Sequence, residues 1–220
     1  MLLKQLSIDD KRDFLCIAEL LSIADKPVSI IGKSSFAGSA ALEAAGASLG
    51  ESLGQLLRRM GKTPSQEIFP RMVASIQRNE RETMAMAELV SVCKAESTVM
   101  HGDESSKMTY KGVETALIKR IDRLPIEKIE ESTARATVAL EFLRELLKDK
   151  KAPMPSVPKV MLFELMLFSL IKGSISSIEW QLLNEFRHHH QLENHIFNDL
   201  LERAEFTHRE AQKTLAIILE

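Results

Sequence analysis

The sequence predicts an all-α protein, a helical bundle built from a repeated helix–turn–helix unit and carrying a helical insertion. Aliphatic side chains and ten Met must fill its core, because the 220 residues include one Trp and one Tyr, and such a core suits helices better than strands. Apolar residues recur at helical spacing, and we expect no strand. One pattern occurs twice, at 14–30 and 163–179: Phe, an apolar helix, a polar pair, then an aliphatic residue and Ser. This recurrence predicts a repeated unit.

The composition is typical of a globular protein. Hydrophobic residues make up 45% of the chain and the formal net charge is −2, so no strong field attracts nucleic acid, and we expect no nucleic-acid partner. The first residues lack the pattern of a signal peptide, and no apolar run reaches the roughly 18 residues of a membrane span. Cys16 and Cys93 lie in apolar helical patterns without a CxxC motif. We therefore expect a cytoplasmic protein with two reduced thiols.

Capping signals and prolines predict where the helices begin and end. Ser7 and Asp10 form a capping box that opens a helix over 8–24, and Pro27 ends it. The start signal Thr63-Pro64-Ser65-Gln66 predicts a helix that follows it and is perturbed by Pro70. The polar stretch 76–83 is then either a solvated part of one long helix or a break between two. The remaining predicted helices cover 84–95, 113–124, 125–150, 159–172, 177–190, 193–205 and 209–219.

Two further boundaries are predicted in the last third of the sequence. The segment 150–159 holds three prolines, which is typical of a linker. Thr207 and Glu210 repeat the capping-box spacing, and they predict that a new helix begins there.

Three glycines at helical spacing stand out in the segment 33–62. Gly46, Gly50 and Gly54 recur every fourth residue, and on a helix they would line one side. Each Gly costs a helix about 1 kcal/mol relative to Ala, so the stripe predicts the close approach of another helix or of a membrane surface. Both interpretations remain open: an interaction site for protein, or peripheral membrane contact by 33–62.

The second copy of the repeated pattern, KGSISSIE at 172–179, resembles the turn of the tellurite-resistance TerB-like family and of the related DjlA N-terminal module. In that family a helix ends in Asp-Gly, and the next begins with x-(Ile/Val)-Ser-x-x-Glu, in two pseudo-symmetric copies. The resemblance implies a TerB-like helical bundle formed by 1–32 with 151–220. The middle of the chain, 33–150, would then be a helical elaboration packed against it.

The resemblance also implies candidate metal ligands, because acids of these turns are associated with divalent cations, which prefer oxygen ligands. Asp25 matches in the first copy and Glu179 in the second. Gly32 stands where the first copy would carry Glu, and Lys172 stands where the second would carry Asp. We therefore expect a weak divalent-cation site or none. Ser176 and Glu179 also form a capping box, which gives Glu179 a structural role that needs no metal.

A histidine cluster at 188–190, followed by His195, is the other candidate metal site. On a continuous helix His189 and Glu193 would lie one turn apart, a spacing that can hold a transition metal. The cluster also coincides with an expected helix boundary, where basic side chains favour the helix C-terminus and stay solvated. No HExxH motif accompanies it.

No motif for nucleotide binding or acyl transfer is present in the sequence. The resemblance implies a non-enzymatic interaction module in a bacterial stress or defence response, one that binds a protein partner and is modulated by a divalent cation. The alternatives are a membrane-surface protein acting through 33–62 and an enzyme with an unrecognised site. Homo-oligomerisation is compatible with each.

Overall fold

The computed structural model describes residues 2–31, 72–76, 79–94, 108–129, 131–148, 150 and 154–219. A short 3-10 helix at Leu2–Gln5 comes first. The elements that follow are α1 (Ile8–Ala24), β1 (Val28–Ile31), β2 (Met72–Ile76), α2 (Glu80–Lys94), α3 (Tyr110–Ile121), α4 (Ile126–Ile129), α5 (Ser132–Leu147), α6 (Ser156–Leu170), α7 (Ser177–His189) and α8 (Asn194–Leu219). They belong to two compact units, one formed by 1–27 with 76–220 and the other by 28–75.

The larger unit is a helical bundle, and it confirms the predicted all-α class. Its central helix, α1, is buried on almost every side, and Phe14 and Leu20 are fully enclosed. Helices α2, α3, α5, α6 and α7 all pack against α1. The repeated pattern predicts that 8–24 packs on 159–172 and 177–190, and this packing is confirmed, although α1 is also covered by α3 and α5.

Helix α6 is the second central element, as its almost uniformly apolar sequence predicts. Leu162, Leu165 and Met166 are fully buried, and α6 packs against α1, α7 and α8. Helix α1 of the first copy and the α6–α7 pair of the second thus share one core. The predicted repetition of a helix–turn–helix unit is wrong in the first copy, because strand β1 follows its turn.

The compact units divide the chain differently from the predicted division into 1–32 with 151–220 and 33–150. Helices α2, α3 and α5 belong to the same unit as α1. The physical reason is that α3 and α5 bury their apolar faces directly in the common core, α3 through Leu117 and α5 through Phe142. They contribute to the bundle itself.

The smaller unit contains a feature that the sequence analysis missed. Strands β1 and β2 pair in a two-stranded sheet, so the expectation of no strand is wrong at these two segments. In β1 three of the four residues are β-branched aliphatics, which favour extended backbone, and Pro27 separates them from α1. The glycine stripe of Gly46, Gly50 and Gly54 lies outside the described residues, so its predicted contact stays a prediction.

Several helix boundaries confirm the capping argument, and one contradicts it. Helix α1 begins after Ser7, whose capping box with Asp10 is formed. Helix α2 begins at Glu80, where the Asn79 side chain accepts a hydrogen bond from the backbone N–H of Arg81 at 3.0 Å. Neither interpretation of 76–83 is correct, because strand β2 ends at Ile76 where a helix was expected, and residues 80–83 form the first turn of α2.

The predicted break at Thr207 is wrong, because α8 runs without interruption from Asn194 to Leu219. The Thr207 hydroxyl donates to the carbonyl of Arg203, one turn earlier in the same helix, at 2.8 Å. Glu210 forms an ion pair with Lys213, so neither residue acts as a cap.

Candidate functional site

The two turns that carry the sequence resemblance meet in the bundle. One follows α1 and contains Asp25, and the other joins α6 to α7 and contains Lys172. The Lys172 ammonium lies 2.8 Å from Oδ2 of Asp25 and 2.7 Å from Oε2 of Glu179. The fold therefore brings both predicted metal ligands together, and a lysine side chain lies between them.

Two further residues extend this arrangement into an ionic cluster, which comprises Asp25, Lys26, Glu82, Lys172 and Glu179. The Lys26 ammonium lies 2.7 Å from Oε2 of Glu82 and 3.4 Å from Oδ1 of Asp25, and Lys172 lies 3.7 Å from Glu82. Glu82 and Glu179 are almost completely buried. Glu82 comes from α2, and no pattern in the sequence predicted its position here.

Burial and ion pairing shift the pKa values of the acids in the cluster in opposite directions. Burial raises the pKa of Glu179, and the hydrogen bonds from Lys172 and the Ser176 backbone only partly offset it. Burial also acts to raise the pKa of Asp25, but the hydrogen bond from Lys172 and the charges of both lysines outweigh it, so this pKa lies below its usual value.

The pKa of Lys172 is shifted by the same two opposing effects, burial and ion pairing. Burial acts to lower the pKa of Lys172, but its hydrogen bonds to Asp25 and Glu179 prevail and raise it. Lys172 is therefore a firmly charged cation held by two carboxylates. The cluster as a whole contains three carboxylates and two ammonium groups. The place between Asp25 and Glu179 that a metal cation would take is therefore already occupied by the Lys172 ammonium.

The backbone of the α6–α7 turn places Glu179 in the cluster. Gly173 has a φ of 100°, a conformation that favours glycine. Ser176 and Glu179 form the predicted capping box, with the Ser176 N–H donating to Oε2 of Glu179 at 2.7 Å and the Glu179 N–H donating to Oγ of Ser176 at 3.2 Å. The structural role proposed for Glu179 is thus confirmed, and the same carboxylate also accepts from Lys172.

A metal role for Asp25 and Glu179 stays a prediction. Within the described ranges of the chain, no group of three or more His, Cys, Asp or Glu side chains is arranged to hold a metal ion. A divalent cation at the two carboxylates would have to displace the ammonium of Lys172 or lie beside it, and two like charges at such a distance repel strongly in a poorly hydrated site.

The turn between α7 and α8 separates the histidine cluster from His195, while the rings of His189 and His190 stay in contact with centroids 4.8 Å apart. Helix α7 ends at His189 and α8 begins at Asn194, so His189 and Glu193 do not share a helix. The His189 ring faces the carbonyl of Lys150 at 3.3 Å, and His195 pairs with Glu193 at 3.1 Å. The predicted helix boundary is confirmed, and the pairing of His189 with Glu193 is not formed.

His190 lies in a different environment from its neighbours. It is half-buried, and its ring packs on that of Phe186 with centroids 4.5 Å apart. Burial and the nearby His189 lower the pKa of His190 to about 4. This histidine is therefore neutral at physiological pH and serves in packing.

The most exposed apolar surface of the described residues lies on α8, where the sequence analysis placed no site. From residue 205 to 219, here called the exposed half of α8, every side chain is exposed except that of the half-buried His208. Its large apolar residues are between 50% and 83% exposed. They are Phe206, Leu215, Ile217, Ile218 and Leu219.

A surface groove of about 590 Å³ adjoins the exposed half of α8. The α6–α7 turn and Trp180 form one wall, and Leu201, His208 and Gln212 of α8 contribute to the other. Trp180 packs edge-on against Phe197 with centroids 5.3 Å apart, yet 40% of its surface stays exposed. An apolar run at 215–219 that continues a helical stripe is the signal that could have pointed to this surface.

Comparisons of the chain with protein-family models, with curated proteins and with solved structures yield no match. The TerB-like resemblance accordingly rests on the turn motifs. None of the helices within the described ranges combines the length and the apolar character that crossing a membrane requires.

Proposed function

We propose that this chain is a non-enzymatic helical interaction module that binds a protein partner through the exposed half of α8. The observation that carries the proposal is the apolar surface formed by Leu215, Ile218 and Leu219, which lie on one side of that segment and are each at least half exposed. Most helices of globular proteins derive their stability from packing an apolar face, and contiguous exposed apolar surface marks sites of association.

The ionic cluster supports this function by fixing one wall of the groove. Lys172 binds to Asp25 after α1, while the next residue, Gly173, already lines the groove beside α8. The cluster thus connects the α6–α7 turn to the central helix, and a partner meets a surface that is already ordered. Preorganisation of this kind lowers the entropic cost of binding.

A protein partner fits the exposed half of α8 better than an anionic membrane does. Its charges are balanced, with Glu205 and Glu210 against Arg209 and Lys213. Interfacial helices usually carry a Lys- and Arg-rich polar face, and this segment has none. The alternative of membrane contact through 33–62 concerns residues outside the described ranges.

The biological setting is part of the proposal. A bacterial stress or defence response is implied only by the TerB-like turn motifs, and the cytoplasmic location only by the sequence. Modulation by a divalent cation gains no support from the ionic cluster, because Lys172 already supplies its cation.

Photo-crosslinking in cells tests the proposal directly. Benzoylphenylalanine at Leu219, on the exposed half of α8, is compared with the same group at Met84 on α2, since both positions are well exposed. We expect a discrete protein adduct from position 219, absent from position 84 and lost when Ile218→Glu is added. Identical adducts from both positions, or none from 219, would overturn the proposal.

A further inference from the structure

A regular stripe of residues, all apolar except one histidine, runs along the whole of α8. Seven residues are separated alternately by four and three positions, the spacing of a helix-pairing seam. They are Phe197, Leu201, Ala204, His208, Ala211, Leu215 and Ile218. The stripe continues across residue 207, where the helix was expected to break.

The first part of the stripe is already used for helix packing. Phe197 and Ala204 are buried, and α8 packs extensively on α6. Beyond His208 the stripe continues with Ala211, Leu215 and Ile218, which are exposed. The exposed part is therefore the continuation of an existing helix–helix interface, one that α6 does not cover.

The exposed part of the stripe is complementary to itself. When two such helices lie antiparallel about a two-fold axis centred near residue 213, Ala211 of each copy faces Leu215 of the other. In the same register His208 faces Ile218. Each large aliphatic side chain then meets a small or ring-shaped one, and this alternation lets facing layers interdigitate.

The groove on each copy extends the same contact. In the antiparallel arrangement the last turns of one α8 pass His208 of the other, and His208 lines the groove beside Trp180. Ile218 and Leu219 of one copy would thus reach the apolar part of the other copy's groove. In a two-fold dimer every such contact forms twice, because residue i of one copy meets residue j of the other and the reverse also holds.

We propose that the partner bound by the exposed half of α8 is a second copy of this chain, paired antiparallel along the stripe. This inference rests on the proposed function and specifies its partner. Residues on the opposite side of α8 take no part in the contact. Phe206, Lys213 and Ile217 lie there, about half a turn away from the stripe at 100° per residue.

The test compares substitutions within the stripe with substitutions outside it, at positions whose wild-type side chains are similarly exposed. Leu215→Glu and Ile218→Glu place a charge in the stripe, whereas Phe206→Glu and Ile217→Glu place the same charge on the opposite side. None of the four side chains is buried, so all four variants should fold, which circular dichroism and thermal melting verify. Sedimentation equilibrium over a concentration series gives the mass relative to the 24.7 kDa chain.

We expect the wild type, Phe206→Glu and Ile217→Glu to associate to twice the chain mass. The stripe variants should associate at least about tenfold more weakly, which corresponds to about 1.4 kcal/mol. A wild type that remains monomeric, or equal effects of both pairs of variants, would overturn the second-copy proposal.

The photo-crosslinking experiment separates this failure from that of the proposed function. An adduct between position 219 and a different protein, with a monomeric wild type, overturns the second-copy proposal and leaves the interaction module standing. A monomer without any protein adduct overturns both. Flotation with vesicles of phosphatidylcholine and phosphatidylglycerol that is lost in Ile218→Glu, without an adduct, would assign the surface to lipid instead.

Discussion

At the residue scale, Lys172 determines how the two turns are joined. Its ammonium lies within hydrogen-bonding distance of Asp25 and Glu179, and both acids were predicted as candidate ligands from the turn motifs. Sequence reasoning identified the lysine as a departure from the family pattern. It could not show that the side chain bends back between the acids, because that depends on two turns separated by well over a hundred residues.

Replacement of Lys172 by Met keeps the apolar stem but removes the charge shared by two carboxylates, one of them fully buried. We expect the free energy of unfolding to fall by about 3–5 kcal/mol, which is typical when one partner of a buried ion pair is removed. Lys213→Met is the matched control, because its pair with Glu210 is exposed and such pairs contribute less than about 1 kcal/mol. Chemical denaturation measures both variants, and equal losses would contradict this role of Lys172.

The Cys16 thiol gives a prediction for alkaline pH. Burial raises the pKa of Cys16 from 9.0 to about 11, and the charge of Lys150 offsets this only in part. Because the folded-state value is the higher one, the protonated thiol contributes stability that is present below about pH 9 and is lost as the pH rises through about 11. The stability of the wild type should therefore fall more steeply over this window than that of Cys16→Ala. Parallel curves from denaturation at several pH values would argue against it.

At the element scale, the same capping spacing leads to different outcomes at two positions. Ser176 and Glu179 follow a turn that contains Gly173, and they open α7. Thr207 and Glu210 follow the residues Arg203 to Phe206, which contain neither Gly nor Pro, so the helix continues through them. The start of α1 was predictable from the Ser7–Asp10 capping box, and its end from Pro27. The continuity of α8 could have been predicted only if residues 203–206, which contain no helix breaker, were given more weight than the capping spacing of Thr207 and Glu210.

Two alanine substitutions test this difference. Ser176→Ala removes the hydroxyl that caps α7 and should lower the free energy of unfolding by about 1 kcal/mol. Thr207→Ala replaces a weaker helix former in the middle of α8 and should leave stability unchanged or raise it slightly. Thermal and chemical denaturation of both variants provide the comparison. A loss at Thr207 as large as at Ser176 would indicate a functioning cap there.

At the scale of the whole molecule, the bundle could be predicted in part. Packing of α1 on α6 and α7 followed from the repeated pattern, and the central position of α6 followed from its apolar sequence. The contribution of Glu82 to the ionic cluster could not be predicted, because it depends on how α2 lies across α1. The strands β1 and β2 were missed because each is only four or five residues long. Periodicity cannot distinguish so short an apolar run from part of a helix, which is what the start signal at Thr63 predicted for the β2 segment.

The exposed half of α8 carries both the proposed interaction and the proposed pairing of two copies. Residues 194–204 contain the buried Phe197 and Ala204, whereas 205–219 extend the same helix with exposed side chains. A helix that is packed on one part and exposed on the next should differ in local stability along its length, because opening is easier where few apolar contacts hold the backbone.

Amide hydrogen exchange along α8 tests this claim most directly, measured in purified protein from dilute to concentrated solution. In dilute solution we expect the amides of 205–219 to exchange much faster than those of 194–204. Their exchange should slow as the concentration rises in the wild type but not in Leu215→Glu. Strong protection of 205–219 at the lowest concentration, equal to that of 194–204, would contradict the account, because that segment would then already be packed within a single copy.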